Sequence, residues 1–467
     1  MTRPRTLEVD VVVVGAGVSG LVAATCLRRA GRSVAVLEAR DRVGGRLLNL
    51  PLPGAPAGDE HGVLEAGGQW VGPGQPRVLA LVDELGLRTF AQHTTGREVL
   101  VLERGSRRTY GGTVPRLAPH RLAELGLARR RFDRLAATVP VDAPWAAPHA
   151  DALDGQTLRT WLHRRIHSHQ VRELFDVAVG AIWGTSSAEL SLLYALWYAR
   201  CAGGLDPLLD TEGGAQDRRV VGGLAGVATR LADRLGDDVR LGWDVAALLV
   251  DDQGVSARTA SGDVLRASRA VLALPPALQA RLEVDPPWPA DDAALLQRSP
   301  HGAVVKCFAV YDEPWWRAAG LSGQAVSLPG PATAVFDVSP PDASRGVLLG
   351  FVDGPQARAF VRRPAPDRRR ELLEGLVDAF GTRARTPEAY VEQDWTAEVF
   401  SRGCPVGHLP PGVLSVLGPS LRRPVGRVHK AGTETSTAWP GYVEGAVVSG
   451  ERVAREVTAA LDADRPG

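Results

Sequence analysis

Lysine is almost missing from this chain: of 54 basic residues only Lys306 and Lys430 are lysines. A coding bias toward arginine explains the background. A lysine that persists in it is still a candidate for work arginine does poorly, since an ammonium is a compact donor that can lose its proton and a guanidinium is not. Cysteine is scarce too. Cys26, Cys201, Cys307 and Cys404 form no C-x-x-C pair, which removes the zinc-ribbon and thioredoxin readings. A chain of 467 residues needs no disulfides to hold its core, so a reduced, cytoplasmic setting is expected. Neither sign of charge dominates. The net charge of +1 supplies no field for nucleic acid or an anionic membrane, and no metal site is expected. No apolar run reaches the roughly 18 residues of a membrane helix. The opening MTRPRTLEVDVVVVGAGVSGLVAATCL imitates a signal peptide, but Glu8 and Asp10 interrupt it. The polar end LDADRPG argues against a tail anchor.

The length implies two domains, and the 45% hydrophobic content is that of a globular protein. The clearest unit comes first. EVDVVVV reads as a buried strand, GAGVSG as a tight turn, LVAATCLRRAG as a helix ending at Gly31, and SVAVLEA as a second strand. Gly15, Gly17 and Gly20 let the backbone approach a pyrophosphate, which then faces a helix N terminus. Glu38, 18 residues after Gly20, is placed to accept hydrogen bonds from a ribose diol. The glycines alone are weak evidence; strand, turn, helix, strand and acid together are specific.

Past this unit, residues 70 to 210 read as mixed and partly helical. The aromatic segment LSLLYALWYAR suits helix core, and RLAELGLARRRFDRLA a helix with a solvated basic face. From Val220 short strands return, joined by turns at Asp252-Gln253-Gly254 and Ser261-Gly262. The charged helix DRRRELLEGLVDAFG and a terminal helix, EGAVVSGERVAREVTAAL, follow. Two further motifs carry chemistry. Arg40-Asp41-Arg42-Val43-Gly44-Gly45-Arg46 sets arginines, which suit bidentate phosphate contact, beside a glycine pair. Gly432-Thr433-Glu434 and Gly441-Tyr442-Val443 lead into the last helix, whose positive end is able to stabilise negative charge on a reduced ring.

The chain resembles the flavin-containing monoamine and polyamine oxidases, the monoamine oxidases most closely. The resemblance runs through DVVVVGAGVSGL, VLEARDRVGGR, GGQWVGP, GAVVKCFAVYDEPWWR, FSRGCPVGHLPPGVLS and AGTETSTAWPGYVEGAVVSGERVARE, nearly the whole chain. It implies an α/β fold of mixed α+β character, with a Rossmann-like FAD-binding domain (residues 1–89, 221–295 and 397–467) interleaved with a substrate-binding domain of mixed sheet and helices (90–220 and 296–396). It implies that Ser19, Glu38, Ala39, Arg40, Gly45 and Arg46 hold the adenosine, ribose and phosphates, that Val245 meets the adenine, and that Gly67, Gly68, Gln69 and Trp70 lie near the ring. Gly432, Thr433, Glu434, Gly441, Tyr442 and Val443 surround the pyrimidine end. Lys306 reaches the reactive flavin nitrogen through a water, Trp395 lies close to the ring, and Cys404 takes the position of a thioether-forming cysteine. Polyamine oxidases lack that bond, so covalent attachment stays open.

Two departures from the family pattern matter. SGGC becomes Ser401-Arg402-Gly403-Cys404, and the next residue is Pro405 where the family has a tyrosine. That tyrosine is one wall of an aromatic sandwich whose other wall remains as Tyr442. Losing a cation–π face of about 0.5–2 kcal/mol argues against simple arylalkylamines and toward a bulkier or secondary amine, with His408 as a candidate polar replacement. The resemblance also points to Ala178, Val179, Leu208, Leu209, Gln216 and Phe351 as pocket residues. The expected partners are a small amine and O2, with no nucleic acid and no membrane; a homodimer is left open. The expected reaction moves a hydride from the amine's α-carbon to FAD, gives an imine that water hydrolyses, and reduces O2 to H2O2. The rivals are an oxidase or desaturase of another metabolite, such as a porphyrinogen, carotenoid or amino acid, and a redox-inactive flavin-binding scaffold.

Overall fold

A computed structural model describes residues 7–56, 58–112 and 117–464; Arg465–Gly467, the end of the polar tail read above, lie outside the described residues, as do the first six. Strand β1 (Leu7–Val14) leads into helix α1 (Val18–Arg29) and strand β2 (Val34–Leu37). β1 is parallel to β2 on one side and to Val264–Leu272 on the other. Valine and alanine fill both faces of β1 and β2, as a strand covered on both sides requires. Around them forms an eight-stranded sheet that also takes in strands 239–240, 245–250, 255–259, 283–285 and 428–430. α1 and the C-terminal helix Val443–Ala463 pack together on one face of it.

The sequence reading ends the glycine turn at Gly20, whereas the helix begins at Val18. Gly20 therefore lies in the first helical turn, where a Cβ would stand 2.0 Å from the Gly15 carbonyl oxygen and 3.1 Å from Ala273 Cβ. Its missing side chain permits close helix–sheet packing rather than a turn.

A second sheet of seven strands runs in the order 389–394, 304–311, 346–353, 334–337, 321–327, 97–103, 106–110. Along Val304–Tyr311 the side chains alternate: Val305, Cys307 and Ala309 join a core with Leu372 and Leu376 of helix Ala365–Phe380. Lys306 and Phe308 point the opposite way, toward residues 64–70. A helical layer, including 119–136, 169–183 and 192–201, forms its own core. The aromatic helix Leu192–Cys201 is buried on nearly all sides, as its composition predicts.

At the junction of sheet and helices, Asp353 is buried with Thr333 Oγ1, at 3.3 Å, as its hydrogen-bond partner. Burial pushes its carboxyl up to about 7. The folded state thus keeps a proton that the unfolded chain releases above about 3.9, so stability falls as pH rises between about 4 and 7. Asp353→Asn removes this slope. Relative to the parent, the variant gains stability at pH 8 over pH 5 by at most about 4 kcal/mol; urea melts at the two pH values measure the difference, and equal gains would refute the assignment.

Candidate active site

The glycine turn, the α1 N terminus and the start of the C-terminal helix open on one cleft of about 410 Å³. Neither helix N terminus is capped by a side chain, so their N–H groups face the cleft as an anion site. Gly15 has φ +103°, and a Cβ there would meet the Ala273 carbonyl oxygen at 2.9 Å. At Gly17 nothing lies within 4 Å of an added Cβ, which leaves bare backbone for a ligand to approach. This glycine cradle and two uncapped helix ends fit the pyrophosphate and ring of FAD.

Most of the expected cofactor residues meet here. Gly15, Gly17 and Ser19 form one wall, with Glu38, Ala39, Arg40, Gly45 and Arg46 beside them. Val245 joins Trp243, Asp244 and Arg281 at one part of the lining. Gly68, Cys404, Pro405, Gly432, Thr433, Gly441, Tyr442 and Val443 complete it. Ser19 Oγ accepts from the Gly432 N–H at 3.0 Å, which ties α1 to the C-terminal turn. Glu38 accepts from the N–H of Ala16 at 2.8 Å and of Arg40 at 3.0 Å. It thus shapes the turn as well as lining the cleft.

The arginines are arranged differently from the simple phosphate forks expected. Arg46 lies across Glu434, with Nη1–Oε1 at 2.7 Å and Nη2–Oε2 at 3.1 Å, and donates to the Pro405 carbonyl at 2.7 Å. Glu434 is buried, and Arg46 holds its carboxyl well below the ordinary range against the opposing effect of burial. Arg40 bonds Glu398, Ser401 and the Phe400 carbonyl. The sequence reading passed over Arg42, whose Nη1 donates to the carbonyls of Val43, Gly45 and Leu47 and so folds the glycine loop; its place inside the quoted motif was the available signal.

Lys306, Trp395, Trp70, Gly67 and Gln69 lie just behind the cleft wall rather than on it. The Lys306 ammonium donates to the Glu65 carbonyl (2.6 Å), the Gly67 carbonyl (2.8 Å) and Gln69 Oε1. It stands 5.3–5.9 Å from the ring centres of Phe351, Phe308 and Trp70. Burial pulls its pKa down to about 7, with Glu65 acting in the opposite direction. Trp395 is fully buried and donates from Nε1 to the Ala66 carbonyl at 2.8 Å. Together Lys306 and Trp395 fix the backbone from Glu65 to Gln69. At Gly67 a Cβ would meet the Arg46 carbonyl oxygen at 2.2 Å, so this segment lies directly on the Arg46 loop. The buried pair Arg219–Glu65 (2.8 Å) anchors it from below; no short-range pattern signals that pair, whose members are 154 residues apart.

Cys404 is a free thiol on the cleft wall. Burial pushes it up to about 11, while Arg46 and Lys306 pull it down. Arg402 takes the left-handed φ of +61° that the family glycine suits better. Tyr442 lines the cleft, edge-on to Trp439 at 5.2 Å. His408 does not line it: the ring is buried, 3.4 Å from Thr185 Oγ1, and burial lowers its pKa to about 4. It therefore does not replace the missing tyrosine.

A second cavity of about 340 Å³ lies between helix His169–Trp183 and the seven-stranded sheet, and it contains Ala178, Val179 and Leu209. Leu208 points instead into the helical core, because neighbouring helical residues diverge. Gln216 donates to the Leu208 carbonyl at 3.2 Å and lines neither space. Phe351 lies opposite Lys306 across the strand pair and packs on Trp70 at 5.9 Å and on Phe336 at 5.9 Å. Phe336 is the one of these three rings that lines the cavity, so Phe351 belongs to the Lys306 surround. The cavity also holds Glu98, Asp206, Asp210 and Glu212. Arg129, its lining arginine, is paired with Asp206.

The sequence profile described as flavin containing amine oxidoreductase matches residues 18–458. A Mycobacterium tuberculosis chain with the provisional name flavin-containing monoamine oxidase AofH is 43% identical over 453 residues, 97% of each chain. A putrescine oxidase solved with putrescine bound is 35% identical with a TM-score of 0.93, covering 97% of this chain and 100% of that one. Cyclohexylamine oxidase from Brevibacterium oxydans IH-35A is 35% identical with a TM-score of 0.92, over 97% and 99%. The chain belongs to the flavin-containing amine oxidoreductase family.

Proposed function

We propose that the chain oxidises the C–N bond of a small amine at this cleft: RCH2NH2 + O2 + H2O → RCHO + NH3 + H2O2. The observation that carries the reading is the uncapped, glycine-lined cleft ending at Tyr442, Pro405 and Cys404, with Lys306 beneath its wall. FAD, when bound, supplies the hydride acceptor and passes the electrons to O2. The chain's own residues then have separable roles. The turn from Gly15 to Ser19 and the α1 N terminus hold the pyrophosphate, and Glu38 the ribose. The edge formed by Tyr442 steers a neutral amine, and the water-poor wall around Pro405 favours the uncharged form. Lys306 holds a proton near the cleft at neutral pH. The acidic cavity suits an amine-bearing substrate: Glu98→Gln is expected to raise KM about threefold, with a smaller change in kcat, a figure that allows for its partial exposure. An unchanged KM would exclude contact.

Residues 1–89, 221–295 and 397–467 are proposed as the FAD-binding unit and 90–220 with 296–396 as the substrate unit, in keeping with how the strands divide between the two large sheets. The proposed setting is cytoplasmic: the pattern of unpaired cysteines fits it, and no helix among the described residues is long and apolar enough to cross a membrane. Cys404 is proposed to tether the flavin. Acid precipitation then gives a yellow pellet from the parent and a yellow supernatant from Cys404→Ala; a colour that stays soluble in both would refute the tether.

The function is tested by oxygen uptake and anaerobic bleaching across primary, secondary and cyclic amines and diamines. Flavin-replete protein that neither bleaches nor takes up oxygen with any of them would overturn the reading and favour the scaffold alternative.

A further inference from the structure

His301 belongs to no motif, yet it touches the centre of the cleft wall from behind. Residues 300–302 run antiparallel to the Cys404 loop. Cys404 N–H donates to the Gly302 carbonyl (2.9 Å), Gly302 N–H to the Val406 carbonyl (3.1 Å) and His408 N–H to the Pro300 carbonyl (2.9 Å). His301 itself is bridged to Gly407. Its imidazole is fully buried, and Nε2 stands 3.6 Å from Glu434 Oε1, the same oxygen that Arg46 and the Gly407 N–H approach. Neither imidazole nitrogen has a hydrogen-bond partner. A neutral imidazole carries one N–H, and the acceptor facing it is the Glu434 carboxylate.

We propose that His301 is a positioning residue for amine oxidation, acting through Glu434 on Arg46. With Nε2–H directed at Oε1, the Glu434 carboxylate is kept in the plane of the Arg46 fork. Arg46 is then held at the Pro405 carbonyl, and its charge in the cleft stays neutralised. Without that N–H the carboxylate turns, the fork opens, and the cleft wall beside Cys404 gains positive field and loses its fixed shape. Close packing explains why the site admits no looser arrangement: a Cβ on Gly403 would meet His301 Cβ at 2.6 Å. This proposal rests on the cleft being the FAD site.

The test uses the flavin-loaded protein and the variants His301→Leu, His301→Gln and Glu434→Gln. The readouts are FAD content, melting temperature, the redox midpoint of the bound flavin, and kcat and KM on an accepted amine. His301→Leu is expected to keep its FAD, to shift the midpoint positive, and to lower kcat/KM about threefold to tenfold, the range of one lost hydrogen bond. His301→Gln, which retains an N–H donor, returns both toward the parent. Glu434→Gln moves the midpoint in the same direction and further, because Arg46 is left unmatched. Leu and Gln variants of His301 that behave alike would overturn the proposal, and so would a Glu434→Gln protein with the parent's midpoint. That last comparison decides even if His301→Leu does not fold. A parent protein without flavin would instead refute the FAD reading itself.

Discussion

Lys306→Met is expected to slow reoxidation of the reduced protein by O2 about a hundredfold, the usual loss when a donor aimed at developing charge is removed, while amine still bleaches the flavin under anaerobic conditions. Passing two electrons to O2 builds negative charge beside the ring, and H2O2 leaves with a proton that the protein has to supply. The Lys306 ammonium is the buried cation next to the Gly67–Gln69 segment. Because burial brings its pKa to about 7, the charged donor is present below that pH, and reoxidation in the parent should slow as pH rises through 7. The stability effect has its own sign. Between about 7 and 10.4 the folded protein binds fewer protons at this site than the unfolded chain, so stability rises with pH there, and the variant loses that slope. Stopped-flow mixing of pre-reduced protein with O2 gives the rate. A variant with normal FAD content and the parent's reoxidation rate would remove Lys306 from the chemistry and leave it as the pin of residues 65–69.

The ease of reading differed sharply between the two halves of the site. The nucleotide end is local in sequence: Gly15, Gly17, Ser19, Glu38, Gly45 and Arg46 lie within about thirty residues, and the chemistry of a pyrophosphate on a helix N terminus dictates their types. Lys306 stood out because its background is arginine. Trp395 and Trp70 were recognised as belonging to the site, but their positions behind the wall depend on strand register, which no short motif encodes. The substrate side was the least legible. Leu208 and Leu209 are indistinguishable by composition, yet the turn of one short helix sends the first into the core and the second into the cavity. Glu98, Asp210 and Phe336 reach that cavity from three separate segments. Arg46 shows the same limit. Its residue type predicts a phosphate fork; that Glu434, 388 positions away, occupies the fork follows only from tertiary structure.

Gly20→Ala is the smallest change expected to empty the cleft. The added methyl would stand 2.0 Å from the Gly15 carbonyl oxygen, 3.1 Å from Ala273 Cβ and 3.2 Å from a Val13 methyl. The first contact is with backbone, so no side-chain rotation relieves it. Either α1 slides away from β1 or the Gly15 turn opens. α1 is held on its far side by the C-terminal helix, where Gly450 already lies so close that a Cβ there would meet the Ser19 carbonyl at 2.6 Å. The turn is therefore the part that yields. Its displacement moves the Gly17 backbone and the α1 N terminus off the pyrophosphate, so loss of cofactor accompanies a destabilisation of about 1–3 kcal/mol or more from overpacking. The purified variant should lack visible flavin absorbance, bind added FAD weakly, and melt below the parent even after the parent has been stripped of cofactor. Gly17→Ala, where nothing lies within 4 Å of the new methyl, serves as the internal control: it should melt like the parent and lose FAD affinity alone, since its methyl intrudes only on the ligand. If both variants kept full flavin occupancy, the pyrophosphate would have to lie elsewhere than on the opening turn.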